Sequence, residues 1–277
     1  MNPLFNFAAL VANENMKIYR RVRVWIMLGL LVVLSAAISI IASITSSSPL
    51  TMWGMIPIIL MILMPLANIF CIIIAADSVA GEFTQGTIKL LLIRPWSRSK
   101  VLLSKYVSVL LFVLFSLVVV YISTFLINLL VFGYESGVLA QQTFQTMDKE
   151  MSAWSYVNQF FLMEFISSTV TVTLAFMISA AFRSSGLAIG LSLFIVLMGS
   201  SLSQLLGLVN KPWVDYVIFL HLDLARYIGG ANPDRGLMFA GTESPMTLGF
   251  SLAVLAGYYI IFMALSWFVF TKRDVAA

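Results

Sequence analysis

Six long apolar runs divide this sequence, and each is close to the length that a helix needs to cross a bilayer. A transmembrane helix takes about 20 predominantly apolar residues, because the hydrocarbon core is about 30 Å thick. The runs cover residues 24–44, 54–76, 106–132, 160–182, 186–208 and 248–270. Because backbone polar groups in lipid must be satisfied within the segment, these runs favour helices over strands. The sequence therefore predicts an all-α membrane protein with six transmembrane helices.

The composition excludes a soluble globular domain. Only 10% of the residues are charged and the mean hydropathy is +1.00, whereas soluble domains carry about 25% charged residues. The fourth run is the least apolar, because Glu164 and several Ser and Thr residues dilute it. Pro57 and Pro65 predict kinks in the second run. We expect residues 1–277 to form a single transmembrane domain.

The basic residues predict the orientation of the chain. Six spans place both termini on the same side, and lysine and arginine are enriched in cytoplasmic loops. If both termini are cytoplasmic, twelve of the 16 lysines and arginines lie inside. This clustering on one membrane face explains the net charge of +4 without a nucleic-acid partner. We expect a multi-pass protein of the plasma membrane with cytoplasmic termini, without a cleavable signal peptide.

Residues 1–23 predict an amphipathic helix in the membrane interface. Its apolar face is formed by Leu4, Phe7, Ala8, Val11 and Ile18. Its polar face carries Lys17 and Arg20, which we expect to point toward lipid headgroups.

The longest outer connection covers residues 210–247, within which 218–228 predicts a short helix or re-entrant element packed at the outer surface. Small residues in the fifth run predict close helix packing, with a dimer interface as one location. These small residues are Gly190, Gly199, Ser200 and Ser201.

The segment 77–105 is polar and basic, and it separates the second and third runs. Gly81 and Gly86 predict breaks that turn the chain into the membrane plane. Ser97 predicts the N-cap of a helix that leads into the third span. On that helix Arg98 and Lys105 are seven residues apart and share a face. Glu82 and Arg98 either clamp the bend or contact a partner, and the alternative is a solvated basic loop bound to anionic lipid.

Sequence motifs for catalysis are missing from this chain. It contains no phosphate-binding loop, no GxGxxG, no HExxH and no GxSxG. Cys71 and His221 are single, so we expect no metal site and no catalytic residue. Glu164 is the one clear intramembrane acid. It predicts either a cavity-lining or gating contact, or a carboxylate that reaches the outer interface and pairs with Lys149 or Lys211.

A set of ordered features in the segment 77–105 resembles one family. The features are Glu82, Gly86, Thr87, Leu91, Leu92, Pro95, Ser97, Arg98 and Lys105. They are similar to the segment after the second span in ABC-2 type permeases, the membrane subunits of type-2 ATP-binding-cassette exporters. The layout of a basic amphipathic N-terminal helix, six spans and a long outer connection also resembles this family.

The resemblance implies that the segment couples the membrane domain to a separate ATP-binding-cassette ATPase. The implied coupling residues are Glu82, Gly86, Thr87, Leu91, Arg94, Pro95, Arg98 and Lys105. The ATPase, not this chain, would bind ATP and Mg. A second permease copy would complete a homodimer or a pair with a related permease. The few charges within the spans favour an amphipathic or apolar cargo, such as a peptide antibiotic, a drug or a lipid-like molecule.

Two other classes of function stay open at the level of sequence. A non-transporting membrane sensor or assembly subunit would use the same basic segment to dock a cytoplasmic partner. A secondary transporter would need ionisable residues near the bilayer midplane, and Glu164 alone is thin support for it.

Overall fold

The computed structural model describes residues 3–47, 49–87, 96–134, 152–206, 212–230 and 247–272, and the regular structure in these ranges is helical. The long helices are α1 (Pro3–Tyr19), α2 (Val22–Thr45), α3 (Met52–Thr84), α4 (Arg98–Phe132), α5 (Ala153–Ala181), α6 (Ser185–Leu206) and α7 (Leu248–Lys272). Three 3₁₀ helices lie between α6 and α7, at Pro212–Tyr216, Ile218–Leu220 and Ala225–Gly230.

Five of the described helices, α2, α3, α4, α5 and α7, are long and apolar enough to cross a membrane. The apolar part of α6 counts as a shorter helix, Ser185–Gly199. The prediction of an all-helical, membrane-spanning fold is therefore confirmed at this level. The total of six spans, which requires α6 to cross the membrane as the fifth of them, stays a prediction.

The helix α3 occupies the centre of the bundle, where it contacts α2, α4, α5 and α6. Its side chains dominate the core, and Trp53, Met64 and Cys71 are almost completely buried. Pro57 and Pro65 lie inside α3, which continues through both of them. A helix that is apolar on most of its surface suits an interior position. Ile58, Met61 and Ile62 form the face of α3 that stays exposed.

The ends of α3 and α4 extend beyond the predicted spans. The prediction that Gly81 breaks the helix is wrong, because α3 runs through Gly81 to Thr84. A Cβ at position 81 would lie 2.8 Å from Oδ1 of Asp77, so this glycine makes room for a side chain. The chain turns at Gly86, whose φ of +69° favours glycine. The next helix, α4, begins at Arg98 with Ser97 as its N-cap, as predicted.

Polar side chains join α2 to α4 within the apolar part of the bundle. Ser35 Oγ lies 3.4 Å from Thr124 Oγ1, and Ser39 Oγ lies 3.3 Å from Asn128 Oδ1. All four residues are buried. Small hydroxyl residues allow helices to approach closely, and their hydrogen bonds hold neighbouring helices together in lipid.

The helix α1 is shorter and rotated relative to the prediction. It ends at Tyr19, and the chain bends before α2 begins at Val22. Leu10 and Glu14 are the buried positions, whereas Ala8 of the predicted apolar face is exposed. The predicted orientation of Lys17 toward lipid headgroups is wrong, because its ammonium group lies against Glu14 and Glu82.

The described part of the connection between α6 and α7 packs back on the helices. Its 3₁₀ helices contact α5, α6 and α7, consistent with the predicted packed element at 218–228. Gly199 of α6 lies under the ring of Phe219, and a Cβ at Gly199 would be 2.1 Å from Phe219 Cδ1. Its small size therefore accommodates a contact within the chain, which explains this glycine without the predicted dimer interface. A Cβ added at Gly190 would meet no atom of the described residues within 4 Å.

Candidate functional site

The helices α1, α3 and α4 bring four charged residues together, which we call the ion cluster. Lys105 Nζ lies 2.7 Å from Glu14 Oε2 and 3.0 Å from Glu82 Oε1. Lys17 Nζ lies 2.8 Å from Glu14 Oε1 and 2.9 Å from Glu82 Oε1. Each carboxylate contacts both ammonium groups, so the ion cluster is a closed ring of alternating charge.

The ion cluster is buried on the side of α4 and more open on the side of α1. The side chain of Lys105 is 2% exposed, whereas that of Lys17 is 37% exposed. Burial lowers the pKa of Lys17, but hydrogen bonds to Glu14 and Glu82 outweigh this effect and raise its pKa above the ordinary value. Buried charges are tolerated when they are paired and hydrogen-bonded. The ion cluster contains two lysines and two glutamates, so each of its charges is paired.

The local structure of α1 explains how Glu14 reaches Lys105. Leu10 and Glu14 are four residues apart, so they lie on the same face of the helix. That face packs against α4, where Ser108 Oγ donates a hydrogen bond to the carbonyl oxygen of Val11 at 3.1 Å. Lys105 lies one turn before Ser108 on α4 and is thereby directed at Glu14.

Both described ends of the predicted coupling segment are fixed to the helix bundle. Thr87 Oγ1, just after the turn at Gly86, donates a hydrogen bond to Glu82 Oε2. At the other end, Arg98 Nη1 donates to the carbonyl oxygen of Thr271 on α7 at 3.2 Å. The segment is thus connected to α1, α3 and α4 through the ion cluster and to α7 through Arg98.

The structure brings together only some of the predicted coupling residues. Glu82, Thr87 and Lys105 meet in or beside the ion cluster. Of the two predicted roles for Glu82 and Arg98, Glu82 holds the bend through Thr87 and binds the two lysines, whereas Arg98 donates to Thr271. Contact of either residue with a partner stays a prediction. Arg98 and Lys105 contact different helices rather than forming one surface. The predicted coupling residues Leu91, Arg94 and Pro95 lie outside the described residues.

A second group of charges lies beside the ion cluster, centred on Asp77. Arg21 Nη1 and Arg23 Nη2 both donate to Asp77 Oδ2, and Ser185 Oγ donates to Asp77 Oδ1. Asp77 is 6% exposed. These contacts join the α1–α2 junction and the start of α6 to the central helix α3.

The junction of α5 and α6 is fixed to the same end of α3. The backbone N–H of Ser185 donates to Thr84 Oγ1 at 2.9 Å, and Thr84 Oγ1 also lies 3.3 Å from the carbonyl oxygen of Arg183. The tight connection between the fourth and fifth runs therefore lies at the end of α3 that carries Asp77 and Glu82.

Glu164 lies far from these charges along the chain, half-buried on α5. Among the described residues the charge that acts on it is another carboxylate, Asp223. The predicted partners Lys149 and Lys211 lie outside the described residues. The choice between a gating contact and an interfacial carboxylate stays a prediction.

His221 holds the described part of the connection between α6 and α7 against α7. Its ring is completely buried, with Nε2 at 2.7 Å from the Asp215 carbonyl oxygen and Nδ1 at 2.8 Å from Ser251 Oγ. Because a carbonyl oxygen only accepts, Nε2 carries the proton and Nδ1 accepts from the hydroxyl. Burial lowers the pKa of His221; the charge of Arg226 also lowers it, whereas the hydrogen bond to Asp215 opposes the shift.

Sequence reasoning missed Glu14, the Asp77 group and the His221 network. Glu14 carried a signal, since an acid four residues after Leu10 on a basic amphipathic helix interrupts the apolar face. The pairing of Arg21 and Arg23 with Asp77 had no local signal, because more than 50 residues separate them along the chain. In the described part of the chain no three His, Cys, Asp or Glu side chains come together to hold a metal ion.

The fold and its charged junction define a multi-pass helical membrane protein. The chain belongs to the DUF2705 family, described as proteins of unknown function, whose model matches residues 26–276. It is 39% identical over 214 residues to the uncharacterized protein YhcI of Bacillus subtilis (strain 168). The matched region covers 76% of this chain and 65% of that relative. It is 33% identical over 207 residues to the uncharacterized membrane protein YdbK of the same organism, covering 74% and 76%. The chain thus spans less than two thirds of the length of the first of these relatives.

Proposed function

We propose that this chain is the membrane subunit of an ATP-driven exporter of the ABC-2 permease type, energised by a separate ATPase subunit. The resemblance of the segment 77–105 to the coupling segment of that family is the starting point. The observation that carries the proposal is the attachment of this segment. Glu82 at its beginning and Lys105 at its end bind each other and α1 in a largely buried ion cluster.

This attachment suits the transmission of force. A partner that pushes on the segment displaces the ends of α3 and α4 together, because Glu82 and Lys105 are paired at 3.0 Å. Glu14 and Lys17 carry α1 along with them, and the hydrogen bond from Arg98 to Thr271 extends the effect to α7. A loop that merely binds lipid has no need of such buried connections to three helices.

The proposal includes an arrangement of the chain and its partners. Six spans, with α6 as the fifth, leave both termini in the cytoplasm, where the ion cluster faces the ATPase. The ATPase binds ATP and Mg, and a second copy of this chain or a related permease forms the other half of the pathway. The cargo is amphipathic or apolar, and it leaves the cell or the membrane.

The first experiment is to purify the chain gently from its native membrane and identify the proteins that accompany it. We expect an ATPase with a phosphate-binding loop. In reconstituted vesicles, Glu82→Ala and Arg98→Ala should uncouple ATP hydrolysis from transport while membrane insertion is retained. Full transport in both variants would contradict the coupling role.

The turn at Gly86 offers a sharper test of the segment with a matched control. Its φ of +69° costs an alanine about 1–2 kcal/mol, whereas asparagine tolerates this conformation. No atom of the described residues lies within 4 Å of the Cβ position, so among them Gly86→Ala changes backbone preference without a clash. We expect Gly86→Ala to reduce coupling and Gly86→Asn to preserve it.

Copurification of a non-ATPase partner alone would support a sensor or assembly subunit instead.

A further inference from the structure

An open groove lies beside Asp77, where the beginnings of α2 and α6 meet the end of α3. Its volume is about 470 Å³, and its lining includes Arg21, Val22, Arg23, Thr84, Gln85 and Ser185. Nothing in the proposed coupling role requires this groove. Its chemistry therefore calls for a separate explanation.

The groove carries an excess of hydrogen-bond donors and one net positive charge. A guanidinium group has five N–H donors, and Arg21 and Arg23 each donate one hydrogen bond to Asp77 within the described residues. Nε of Arg23 is buried without a hydrogen-bond partner there. Forked guanidinium donors match the oxygens of a phosphate group.

Asp77 is already paired with two guanidinium groups, which makes it a weak partner for a further cation. Its Oδ2 accepts from both arginines and its Oδ1 accepts from Ser185. An ammonium group, such as that of a zwitterionic lipid, meets two arginines and a single carboxylate that is already paired with both. The site therefore distinguishes an anionic phosphodiester from one that carries its own positive charge.

The surface next to the groove is apolar and exposed along α2. Val22 lines the groove and is 72% exposed, and Trp25 and Ile26 follow at 56% and 65%. Across the groove, Leu187 of α6 is 50% exposed. A polar pocket that opens directly onto an apolar helix surface matches the chemistry of a phospholipid, whose headgroup and acyl chains occupy the two parts.

We propose that this groove binds the phosphodiester of an anionic phospholipid, with its acyl chains along α2. Arg21 and Arg23 hold the phosphate oxygens, while Asp77 fixes the two guanidinium groups from behind. The lipid joins the α1–α2 junction to the start of α6. This site is independent of any ATPase partner, so it holds whether or not the chain is an exporter subunit.

The first test measures binding to the purified full-length chain in neutral detergent by native mass spectrometry. Phosphatidylglycerol is expected to remain bound in preference to phosphatidylcholine. Glycerol phosphate and inorganic phosphate, offered at the same concentration, distinguish a lipid site from a site for free phosphate. Equal binding of both lipids would overturn the proposal, and so would displacement of phosphatidylglycerol by the soluble anions.

Substitution of the arginines tests whether the groove is the binding site. An arginine near an anionic surface contributes about fivefold in affinity, so Arg23→Gln should weaken phosphatidylglycerol binding by about that factor. Arg20→Gln is the matched control, because it removes the same charge from an exposed residue that does not line the groove. An equal loss in both variants would overturn the site in favour of general electrostatic attraction.

A second measurement leaves the arginines intact, in case their substitution impairs folding. Gln85 is exposed and lines the groove, and the single native cysteine, Cys71, is fully buried. Gln85→Cys therefore provides one accessible thiol for a maleimide. We expect phosphatidylglycerol to slow its modification at least about fivefold, and phosphatidylcholine or inorganic phosphate to leave it unchanged. Equal modification rates in all lipids would overturn the proposal.

Discussion

Lys105 depends on its two carboxylate partners for its place in the interior. Its side chain is 2% exposed, and both Glu14 and Glu82 lie within hydrogen-bond distance of Nζ. An unpaired buried charge is far more costly than a buried apolar group. Single and paired substitutions in the ion cluster should therefore change the free energy of unfolding by different amounts, which makes the ring of charges testable.

We expect Lys105→Met to destabilise the protein by about 3–5 kcal/mol, because it leaves one excess carboxylate in a buried site. The double variant Lys105→Met with Glu14→Leu removes one charge of each sign and keeps the pair between Lys17 and Glu82. It should recover most of the lost stability. Thermal unfolding in detergent measures both, and a double variant less stable than Lys105→Met would contradict the ion-cluster interpretation.

His221 predicts a dependence of stability on pH. Its pKa in the folded protein lies below the ordinary value of 6.5, because burial and the charge of Arg226 disfavour the imidazolium. The unfolded chain therefore binds the proton first, so the contribution of His221 is full above pH 6.5 and is lost as the pH falls through the folded pKa.

Thermal unfolding measured from about pH 8 to about pH 5 checks this dependence. The midpoint of the wild-type protein should fall across the acidic part of that range more steeply than that of His221→Gln, which cannot titrate. Parallel curves for the two proteins would rule out His221 as the source. Protonation at Nδ1 disrupts the hydrogen bond that Nδ1 accepts from the Ser251 hydroxyl.

At the scale of elements, the apolar runs predicted where the helices lie but not where they end. The sequence locates α3 and α4 correctly, yet α3 continues to Thr84 and α4 begins at Arg98. Polar residues at these ends are compatible with helix because they pair with other helices. Glu82 and Lys105 illustrate this, since their partners on α1 are distant in sequence and invisible to a local pattern.

Two glycines of α6 should respond in opposite directions to the same substitution. Gly199→Ala introduces a Cβ at 2.1 Å from Phe219 Cδ1, so we expect destabilisation of about 1–3 kcal/mol from overpacking. Gly190→Ala meets no atom within 4 Å in the described part of the chain and should stabilise the helix by about 0.5–1 kcal/mol. Thermal unfolding of the two variants makes the comparison. Equal effects would show that Phe219 does not limit position 199.

At the scale of the molecule, hydropathy predicted a helical membrane protein, and the remaining question of topology concerns α6. The charge distribution predicts that Arg183, before α6, is cytoplasmic and that Trp213, after it, is outside. The sequence predicted individual residues of the candidate site, such as Glu82 and Lys105, but not the contacts between them. Its assembly depends on contacts between positions such as 14 and 105, which no local property of the sequence encodes.

Cysteine labelling of intact cells tests this topology. A membrane-impermeant maleimide should modify Ser47→Cys and Trp213→Cys, both exposed positions, and should leave Gln85→Cys and Arg183→Cys unmodified until the cells are opened. Buried Cys71 serves as the silent background. Labelling of Arg183→Cys and Trp213→Cys from the same side would contradict a crossing by α6.

The ion cluster also dictates an order of events during synthesis. The ribosome delivers Glu14 and Lys17 long before Glu82, and Lys105 emerges last. The ring of four charges therefore closes only after Lys105, at the beginning of the third membrane segment, has been made. A chain interrupted before α4 has two acids and a single lysine at this junction. Completion of the ring thus ties the placement of the N-terminal helix to the synthesis of α4.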